Sequence, residues 1–260
     1  MLNFEVSGKG SQSLVLLHGF LENLTIWEDM APYFSKAFTS IKIDLPGHGK
    51  SKTLAEIQTM DLMAKEVKKV VDDLSLDQVH LVGHSMGGYT ALAFAELFPE
   101  KIASLTLFFS TYAEDSTEKK EQRKKAIKIM KEAFPTYVNS TMGNLFNANE
   151  LDILEAKIRL AKDIGLKTDL EGAIACTKGM IERPDRKKVL ENADYKILLL
   201  NGRFDNAVNT KTTIDQLPEK TNIKAYILDC GHNGHWEKPS ICAEIINTEL
   251  LHNTIKNLTF

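Results

Sequence analysis

The sequence predicts an α/β protein built on a mostly parallel, doubly wound central sheet. Seven short runs rich in β-branched and aromatic residues recur along the chain, with helical patterns between them. Several of these runs are continuously apolar, which is typical of strands buried on both faces of a parallel sheet. Strands that alternate with helices favour an open α/β sheet. At 260 residues the chain is long enough to form one such domain.

The predicted strands fall in two groups separated by a long gap. Five precede the gap, at residues 2–6, 14–17, 40–43, 78–82 and 104–109, and two follow it, at 196–200 and 223–228. Helices are predicted at residues 60–74, 85–98 and 240–251. The first helix carries apolar residues at spacings of three and four, which indicates a single buried face.

The segment 112–192 breaks this alternation. It begins with a charge-rich run at 114–131 and continues with a helical pattern at 151–164. The second pattern has two apolar stripes, one of Leu151, Leu154, Ile158 and Ala161 and another of Ile153, Leu160 and Ile164. A helix apolar over so wide an arc is expected to pack on two sides. The pattern fits an ordinary helical insertion on the sheet as well as a lid whose inner face lines a pocket.

Composition and charge exclude several classes of protein. The net charge of −3 and the pI near 6.2 leave no basic surplus to neutralise phosphates, so no nucleic-acid partner is expected. Three cysteines without paired spacing, Cys176, Cys230 and Cys242, favour a reduced compartment and give no metal-binding pattern. The N-terminus lacks the features of a signal peptide, and the apolar runs are too short to span a bilayer. We therefore expect a cytoplasmic protein with no membrane partner and no bound metal.

The strongest local motif is Gly-x-Ser-x-Gly at residues 83–87, between a predicted strand and a predicted helix. A serine at such a turn is held in a strained conformation with its hydroxyl projecting from the edge of the sheet, as a nucleophile requires. Residues two positions away must be small to avoid a collision across the turn, and Gly83 and Gly87 are. A phosphate-binding loop is the alternative, but neither common glycine-rich phosphate pattern fits. Ser85 is therefore the predicted nucleophile.

A nucleophilic serine needs a base, and the base needs an acid. His232 follows the last predicted strand, and Asp205 follows the strand at 196–200, so both lie at the carboxyl edge that presents Ser85. Asp229 is a rival acid, but it is too close to His232 along the chain to reach around the imidazole ring. His235 is expected in a supporting layer or at the surface. The order serine, acid, histidine is the one expected on this type of sheet.

Two backbone N–H groups are predicted to bind the oxyanion. Met86 provides one at the start of the helix after the nucleophile. Phe20 provides the other, in the loop after the strand at 14–17, where Gly19 lets the backbone turn. We expect His18 to orient this loop and to do no acid–base work.

These motifs together resemble the α/β-hydrolase fold family along nearly the whole chain. The matching segments are 18–20, the turn 44–51, 83–88, 202–205 and the histidine loop 231–239. The resemblance implies a hydrolase core at 1–111 and 193–260, with residues 112–192 as a helical cap inserted after the sixth strand. It implies a structural role for Asp44 and His48. We expect the substrate pocket to be lined by His18, Tyr89, Leu154, Ile158 and Trp236.

The function predicted from the resemblance is that of a carboxylesterase-like serine hydrolase. It would cleave small carboxylic esters or thioesters through an acyl-enzyme, without a cofactor, as a monomer or homodimer. A lyase of the menaquinone-biosynthesis type remains an alternative, although those relatives have arginine where this chain has Tyr89. That lyase would depend on cap arginines, for which the candidates are Arg123, Arg159, Arg183 and Arg186. Carbon–carbon bond hydrolases and a ligand receptor with slow turnover also remain open.

Overall fold

Seven strands form a single sheet in the computed structural model, which describes residues 1–251. Their order across the sheet is β1-β3-β2-β4-β5-β6-β7, and only β1 runs antiparallel to its neighbour. The strands are β1 Phe4–Gly8, β2 Gln12–Leu17, β3 Phe38–Ile43, β4 Val79–His84, β5 Ile102–Phe108, β6 Lys196–Gly202 and β7 Ile223–Leu228. Each overlaps a strand predicted from the sequence, which confirms the mostly parallel α/β architecture.

Nine α-helices accompany this sheet within residues 1–251. They are α1 Met60–Asp73, α2 Met86–Leu97, α3 Thr117–Gly143, α4 Leu151–Leu166, α5 Leu170–Glu182, α6 Lys187–Asn192, α7 Thr210–Asp215, α8 Gly234–Glu237 and α9 Pro239–Leu251. None of these described helices combines the length and the apolar character needed to cross a membrane.

Alternate residues of β2 pack on opposite faces of the sheet. Val15 and Leu17 join the apolar cluster that contains α1 and α2, whereas Leu14 and Leu16 join the cluster that contains α9 and α4. A strand with helices on both faces must be apolar at every position. The strand runs in the sequence are continuously apolar because helices cover both faces of the sheet.

The helical insertion follows the fifth strand of the sheet, so its predicted position after the sixth strand is wrong. Five strands precede α3, and β6 begins only after α6 ends. The insertion lies at the carboxyl end of β5, beside the turn between β4 and α2. Its helices can therefore reach the edge of the sheet that carries the candidate site.

Helix α4 does not pack on two sides as its two apolar stripes predict. Leu154 and Ala161 are buried against α3 and the α9 side of the sheet, but Ile153 is 79% exposed and Leu160 is 41% exposed. Ile164, the last residue of the second stripe, is buried, whereas Ile153 and Leu160 of that stripe are largely in solvent. The second stripe is therefore buried only at its C-terminal end.

Candidate active site

Ser85 occupies a strained turn between β4 and α2. Its backbone has φ +49° and ψ −114°, a left-handed conformation that non-glycine residues seldom adopt. A Cβ on Gly83 would lie 2.3 Å from the carbonyl oxygen of Gly87, and a Cβ on Gly87 would lie 2.5 Å from that of Leu17. The turn therefore closes only with glycine on both sides of the serine. This tight closure presents the hydroxyl of Ser85 at the edge of the sheet.

His232 is hydrogen-bonded to Asp205 in a buried pair. Nδ1 of His232 lies 2.8 Å from Oδ2 of Asp205, and the two side chains are 3% and 0% exposed. The other carboxylate oxygen, Oδ1, accepts hydrogen bonds from the N–H groups of Ala207 and Val208, at 2.7 and 2.9 Å. Asp205 is therefore fixed on one side by its own loop, with its second oxygen aimed at the imidazole.

The pair perturbs the acidity of both groups. Burial raises the pKa of Asp205, but the charge and hydrogen bond of His232 outweigh it and hold that pKa below its ordinary value. Burial likewise lowers the pKa of His232, but Asp205 outweighs it and raises the pKa above the ordinary value for histidine. The rival acid, Asp229, is 74% exposed and pairs with Arg203 at the surface. The structure therefore brings Asp205, and not Asp229, to the imidazole.

A cavity of about 420 Å³ opens beside Ser85 and His232. Its apolar wall includes Phe20, Ala126, Tyr137, Leu145 and Met180. Its polar wall includes Tyr89, Lys119, Gln122, Arg123, Thr141, Asn144 and Asn206. Helices α3 and α5 of the insertion supply much of this lining, so the insertion contributes directly to the space in front of the serine.

Tyr89 lines the cavity as expected, but the other four predicted pocket residues do not. Nε2 of His18 accepts the N–H of Leu45 at 2.8 Å, deep below the cavity. Trp236 is buried and stacks on Phe146, with 6.0 Å between the two ring centroids.

Leu154 and Ile158 pack in the apolar cluster of the α9 side. Their spacing correctly predicts that one face of α4 is buried. The spacing does not predict which neighbours bury that face. In the structure the face packs against other helices and does not line the cavity.

The candidate oxyanion donors are backbone groups of the two loops beside Ser85. Phe20 lines the cavity, and Met86 begins α2 directly after the serine. Within residues 1–251, no hydrogen bond joins the N–H of Phe20 or of Met86 to a protein acceptor. Both donors are thus available to a ligand.

Three buried ionisable residues lie below the serine, and two of them, Glu22 and His84, are absent from the candidate residues predicted from the sequence. Glu22 accepts the N–H of Gly19 at 2.6 Å and lies 2.8 Å from Nδ1 of His84. His235 is fully buried, with its ring 4.7 Å from that of His84, so it lies in the supporting layer, the first of its two expected places, and not at the surface. Glu22 stands in no recognisable motif, and His84 occupies a variable position of Gly-x-Ser-x-Gly. No sequence signal points to either of them.

The four candidate cap arginines lie in different places. Only Arg123 lines the cavity beside Ser85, and its Nε donates to Asp115. Arg183 bonds the other oxygen of Asp115 at 2.7 Å and lies over the ring of Tyr89, 3.9 Å from its centroid.

Arg159 is exposed and pairs with Glu155, and Arg186 bonds Asp61 and Glu96. Neither lines the cavity.

Lys119 adds a second cationic side chain to the cavity wall. Its burial and the neighbouring charge of Arg123 lower its pKa. Within residues 1–251, no carboxylate forms an ion pair with Lys119. Asp115 pairs with the guanidinium groups of both Arg123 and Arg183, so three cationic side chains lie near this one buried carboxylate. In the same described range, no cluster of His, Cys, Asp and Glu side chains is arranged to hold a metal ion.

The parallel sheet, the strained serine turn and the acid-bonded histidine together define a hydrolase of the α/β class. The family model for the alpha/beta hydrolase fold matches residues 12–162, more than half of the chain. The chain therefore belongs to the alpha/beta hydrolase fold family.

Relatives along the whole chain are named for more than one reaction. A 2-hydroxy-6-oxononadienedioate/2-hydroxy-6-oxononatrienedioate hydrolase from Pseudomonas putida is 27% identical over 269 residues, which covers 96% of this chain and 92% of the relative. A hydrolase of the same name from Escherichia coli (strain K12 / DH10B) is 28% identical, covering 91% of this chain and 86% of the relative.

Solved structures of similar fold include an esterase and a lactonase. A thermophilic esterase from Thermogutta terrifontis, solved with malate bound, has a TM-score of 0.88 and 27% identity and covers 96% of this chain and 92% of its own. An enol-lactonase from Burkholderia xenovorans LB400 has a TM-score of 0.88, with 96% of each chain covered. At 20% identity its likeness shows the fold alone.

Proposed function

We propose that the protein hydrolyses small carboxylic esters or thioesters through an acyl-enzyme on Ser85. One observation carries the proposal: a serine in a strained turn shares a cavity with a histidine whose far nitrogen is bonded to a buried carboxylate. This is the arrangement that converts a weak hydroxyl nucleophile into an effective one.

In the proposed reaction, Ser85 attacks the carbonyl carbon while His232 takes the hydroxyl proton. Asp205 holds the imidazole in the tautomer with its proton on Nδ1, which leaves Nε2 free to accept, and stabilises the cation that forms. The N–H groups of Phe20 and Met86 bind the negative oxygen of the tetrahedral intermediate. His232 then protonates the leaving group. Water activated by the same histidine releases the acid from Ser85.

The size of the cavity supports short acyl groups. Its volume, about 420 Å³, lies in the lower half of the range of roughly 300–1,000 Å³ that is usual for small-molecule pockets. A second cavity of about 770 Å³ adjoins it at Tyr89, Lys119 and Asn206 and leaves room there for the leaving group. Acetyl to hexanoyl esters are therefore the proposed substrates. The fold is shared with the Thermogutta terrifontis esterase, which agrees with this class.

A carbon–carbon bond hydrolase acting on a substrate with carboxylate groups is the second candidate. Two observations favour it: the dienedioate names of the relatives, and the positive charge that Arg123 and Lys119 bring to the cavity wall. The same charge would suit an ester with a free carboxylate, or the carboxylate-rich substrate of a lyase. Arg123 therefore favours a substrate with a carboxylate group, but it does not indicate which bond of that substrate is cleaved.

A substrate screen separates these candidates. p-Nitrophenyl esters and thioesters of graded acyl length, half-esters of dicarboxylic acids and a 2-hydroxy-6-oxo-dienedioate would be compared, with Ser85→Ala as the blank. We expect multiple turnovers on short esters and none with the variant.

Faster cleavage of the dienedioate than of every ester would replace the first proposal with the second. Turnover that stops after one event per molecule would favour a receptor. Labelling by a sulfonyl fluoride checks the nucleophile, because the adduct should map to the peptide containing Ser85. An adduct on another serine, with Ser85 unmodified, would contradict the assignment.

A further inference from the structure

Beneath Ser85, Glu22 and His84 form a pair that the proposed chemistry does not use. Each side chain is 1% exposed, and Oε2 of Glu22 lies 2.8 Å from Nδ1 of His84. On the other side of the ring, Nε2 of His84 lies 3.1 Å from the backbone carbonyl oxygen of His232. His84 therefore spans the space between the loop after β2 and the loop of the candidate base.

Both partners of the His84 ring are hydrogen-bond acceptors. A backbone carbonyl oxygen can only accept a hydrogen bond, and so can an ionised carboxylate. Both ring nitrogens face such acceptors, so both bonds form only when both nitrogens carry protons. The charge and hydrogen bond of His84 outweigh burial and lower the pKa of Glu22 to about 2. Two acceptors, one on each side of the ring, are the contacts that suit an imidazolium beside a carboxylate.

This pair connects the three loops that form the candidate site. Glu22 accepts the N–H of Gly19, the residue before the proposed oxyanion donor Phe20. His84 directly precedes Ser85 and bonds the backbone of His232. One buried pair therefore fixes the oxyanion loop, the serine turn and the histidine loop relative to each other.

The pair also lies close enough to His232 to affect its charge. The rings of His84 and His232 are 4.9 Å apart, and Glu22 is among the groups that act on the imidazole. The ionisable groups that face His232 from the elements around it are Asp205 after β6, Glu22 after β2, His84 at the end of β4, Lys119 on α3 and His235 on α8. Glu22 and His84 carry opposite charges, so their effects on His232 oppose each other.

We propose that Glu22 and His84 are positioning residues whose opposite charges cancel in their effect on His232. Their hydrogen bonds hold the three loops of the site in place. The proposal rests on the function proposed above, in which His232 acts as the base. It assigns a role to the residue before the nucleophile, which the motif leaves open.

Two substitutions separate charge from geometry. In Glu22→Gln, the amide oxygen can occupy the place of Oε2 and accept from Gly19 and His84. The amide nitrogen would take the place of Oε1, which has no hydrogen-bond partner among residues 1–251 and lies 3.8 Å from Nε2 of His235. In His84→Asn, a neutral side chain of similar reach can still donate to Glu22. The first variant removes the negative charge and the second removes the positive charge.

The two variants should shift the pH profile of kcat/KM in opposite directions. Without the carboxylate, the remaining cation makes protonation of His232 harder, so the midpoint of the acid limb should fall by about one pH unit. Without the imidazolium, the remaining anion makes protonation easier, so the midpoint should rise by a similar amount. The double variant restores neutrality and should bring the midpoint back toward the wild-type value.

A role confined to holding the loops would give a different result. It predicts an unchanged midpoint in each single variant and a lower kcat in the double variant than in either single one. Shifts of the same sign, or a midpoint that stays at the wild-type value in either single variant, would overturn the proposal. His80→Asn is the matched control, since His80 is a buried histidine of the same strand, bonded to Ser104 and Gln12 at the opposite end of the sheet. It should leave the midpoint unchanged.

The charge state of His84 can be measured without any activity. Nitrogen-15 NMR of the wild-type protein distinguishes an imidazole with two protonated nitrogens from a neutral ring. We expect the wild-type protein at pH 7 to show a doubly protonated buried histidine whose signals are absent from His84→Asn. A neutral His84 would overturn the proposal even if esterase activity were found. A doubly protonated His84 in a protein inactive on every ester would leave the pair established and refute the function on which its role depends.

Discussion

Replacing Asp205 with asparagine should nearly abolish activity by forcing the wrong tautomer on His232. The N–H groups of Ala207 and Val208 both point at Oδ1 of Asp205. An asparagine must therefore place its carbonyl oxygen there, because the reverse orientation leaves two buried donors without partners, at about 1–3 kcal/mol each. The amide N–H₂ then takes the place of Oδ2, 2.8 Å from Nδ1 of His232. That nitrogen must accept, so the imidazole proton moves to Nε2, where a base would need a lone pair.

The expected loss is large because it removes the base and leaves the rest of the site intact. A wrong tautomer of this kind lowers kcat by about four powers of ten, or roughly 5.4 kcal/mol at 1.36 kcal/mol per tenfold change. Steady-state hydrolysis of p-nitrophenyl butyrate, with the free energy of unfolding from urea titration as a folding check, measures it. Without the anion, Asp205 no longer outweighs the effect of burial on His232, so the midpoint of any residual activity should move to lower pH.

Asp229→Asn provides the control for this experiment. Asp229 lies on the neighbouring strand end but is exposed and bonds Arg203, so its replacement should leave kcat within about threefold of wild type. If Asp205→Asn keeps more than about a tenth of the activity, or if Asp229→Asn loses as much, the assignment of the acid is wrong.

Three further outcomes are expected. The wild-type kcat/KM should rise with pH through a single ionisation whose midpoint lies above about 6.5. Activity needs the neutral ring of His232, and Asp205 raises the pKa of that ring more than burial lowers it. A profile flat from about pH 5 to 9 would contradict the assignment of His232 as the base. Arg123→Met should lower kcat/KM about 10- to 100-fold for a half-ester with a free carboxylate, since a hydrogen bond to a charged group contributes about 1.5–3 kcal/mol. It should leave kcat/KM for the neutral ester within about twofold of the wild-type value. Equal effects on both esters would contradict a contact between Arg123 and the substrate carboxylate. Gly88→Ala should lower the free energy of unfolding by about 1–3 kcal/mol, because a Cβ there would lie 2.3 Å from Oγ of Ser110. Gly143→Ala, where a Cβ would meet nothing nearer than Lys162 Cε at 3.7 Å, should not lower it.

The position of the candidate site could be predicted from the sequence because parallel strands impose it. Each of Ser85, Asp205 and His232 follows a strand, and parallel strands end at one edge of the sheet. The prediction needed only the strand assignments and the residue types that follow them. The glycines around Ser85 added a steric requirement that is local in sequence.

The lining of the cavity could not be predicted in the same way. Leu154 and Ile158 lie on a correctly identified buried face, but periodicity carries no information about which neighbour buries it. Lys119 and Arg123 are one turn apart in a charge-dense run that looks like a solvated helix face. They reach the cavity only because α3 crosses the carboxyl end of the sheet, and that placement depends on packing between distant segments.

The buried pair shows why the variable position of a motif is not free. Gly83 and Gly87 are required by close backbone contacts, which depend on the turn itself and recur wherever the turn does. His84 satisfies contacts that depend on the partners this chain supplies, a carboxylate from the loop after β2 and a carbonyl from the loop before α8. A different residue at 84 would require a different residue at 22, because an unpaired buried carboxylate is costly. The pair therefore has to be replaced together or kept together, and single substitutions at either position should destabilise the fold more than the double substitution Glu22→Gln with His84→Asn.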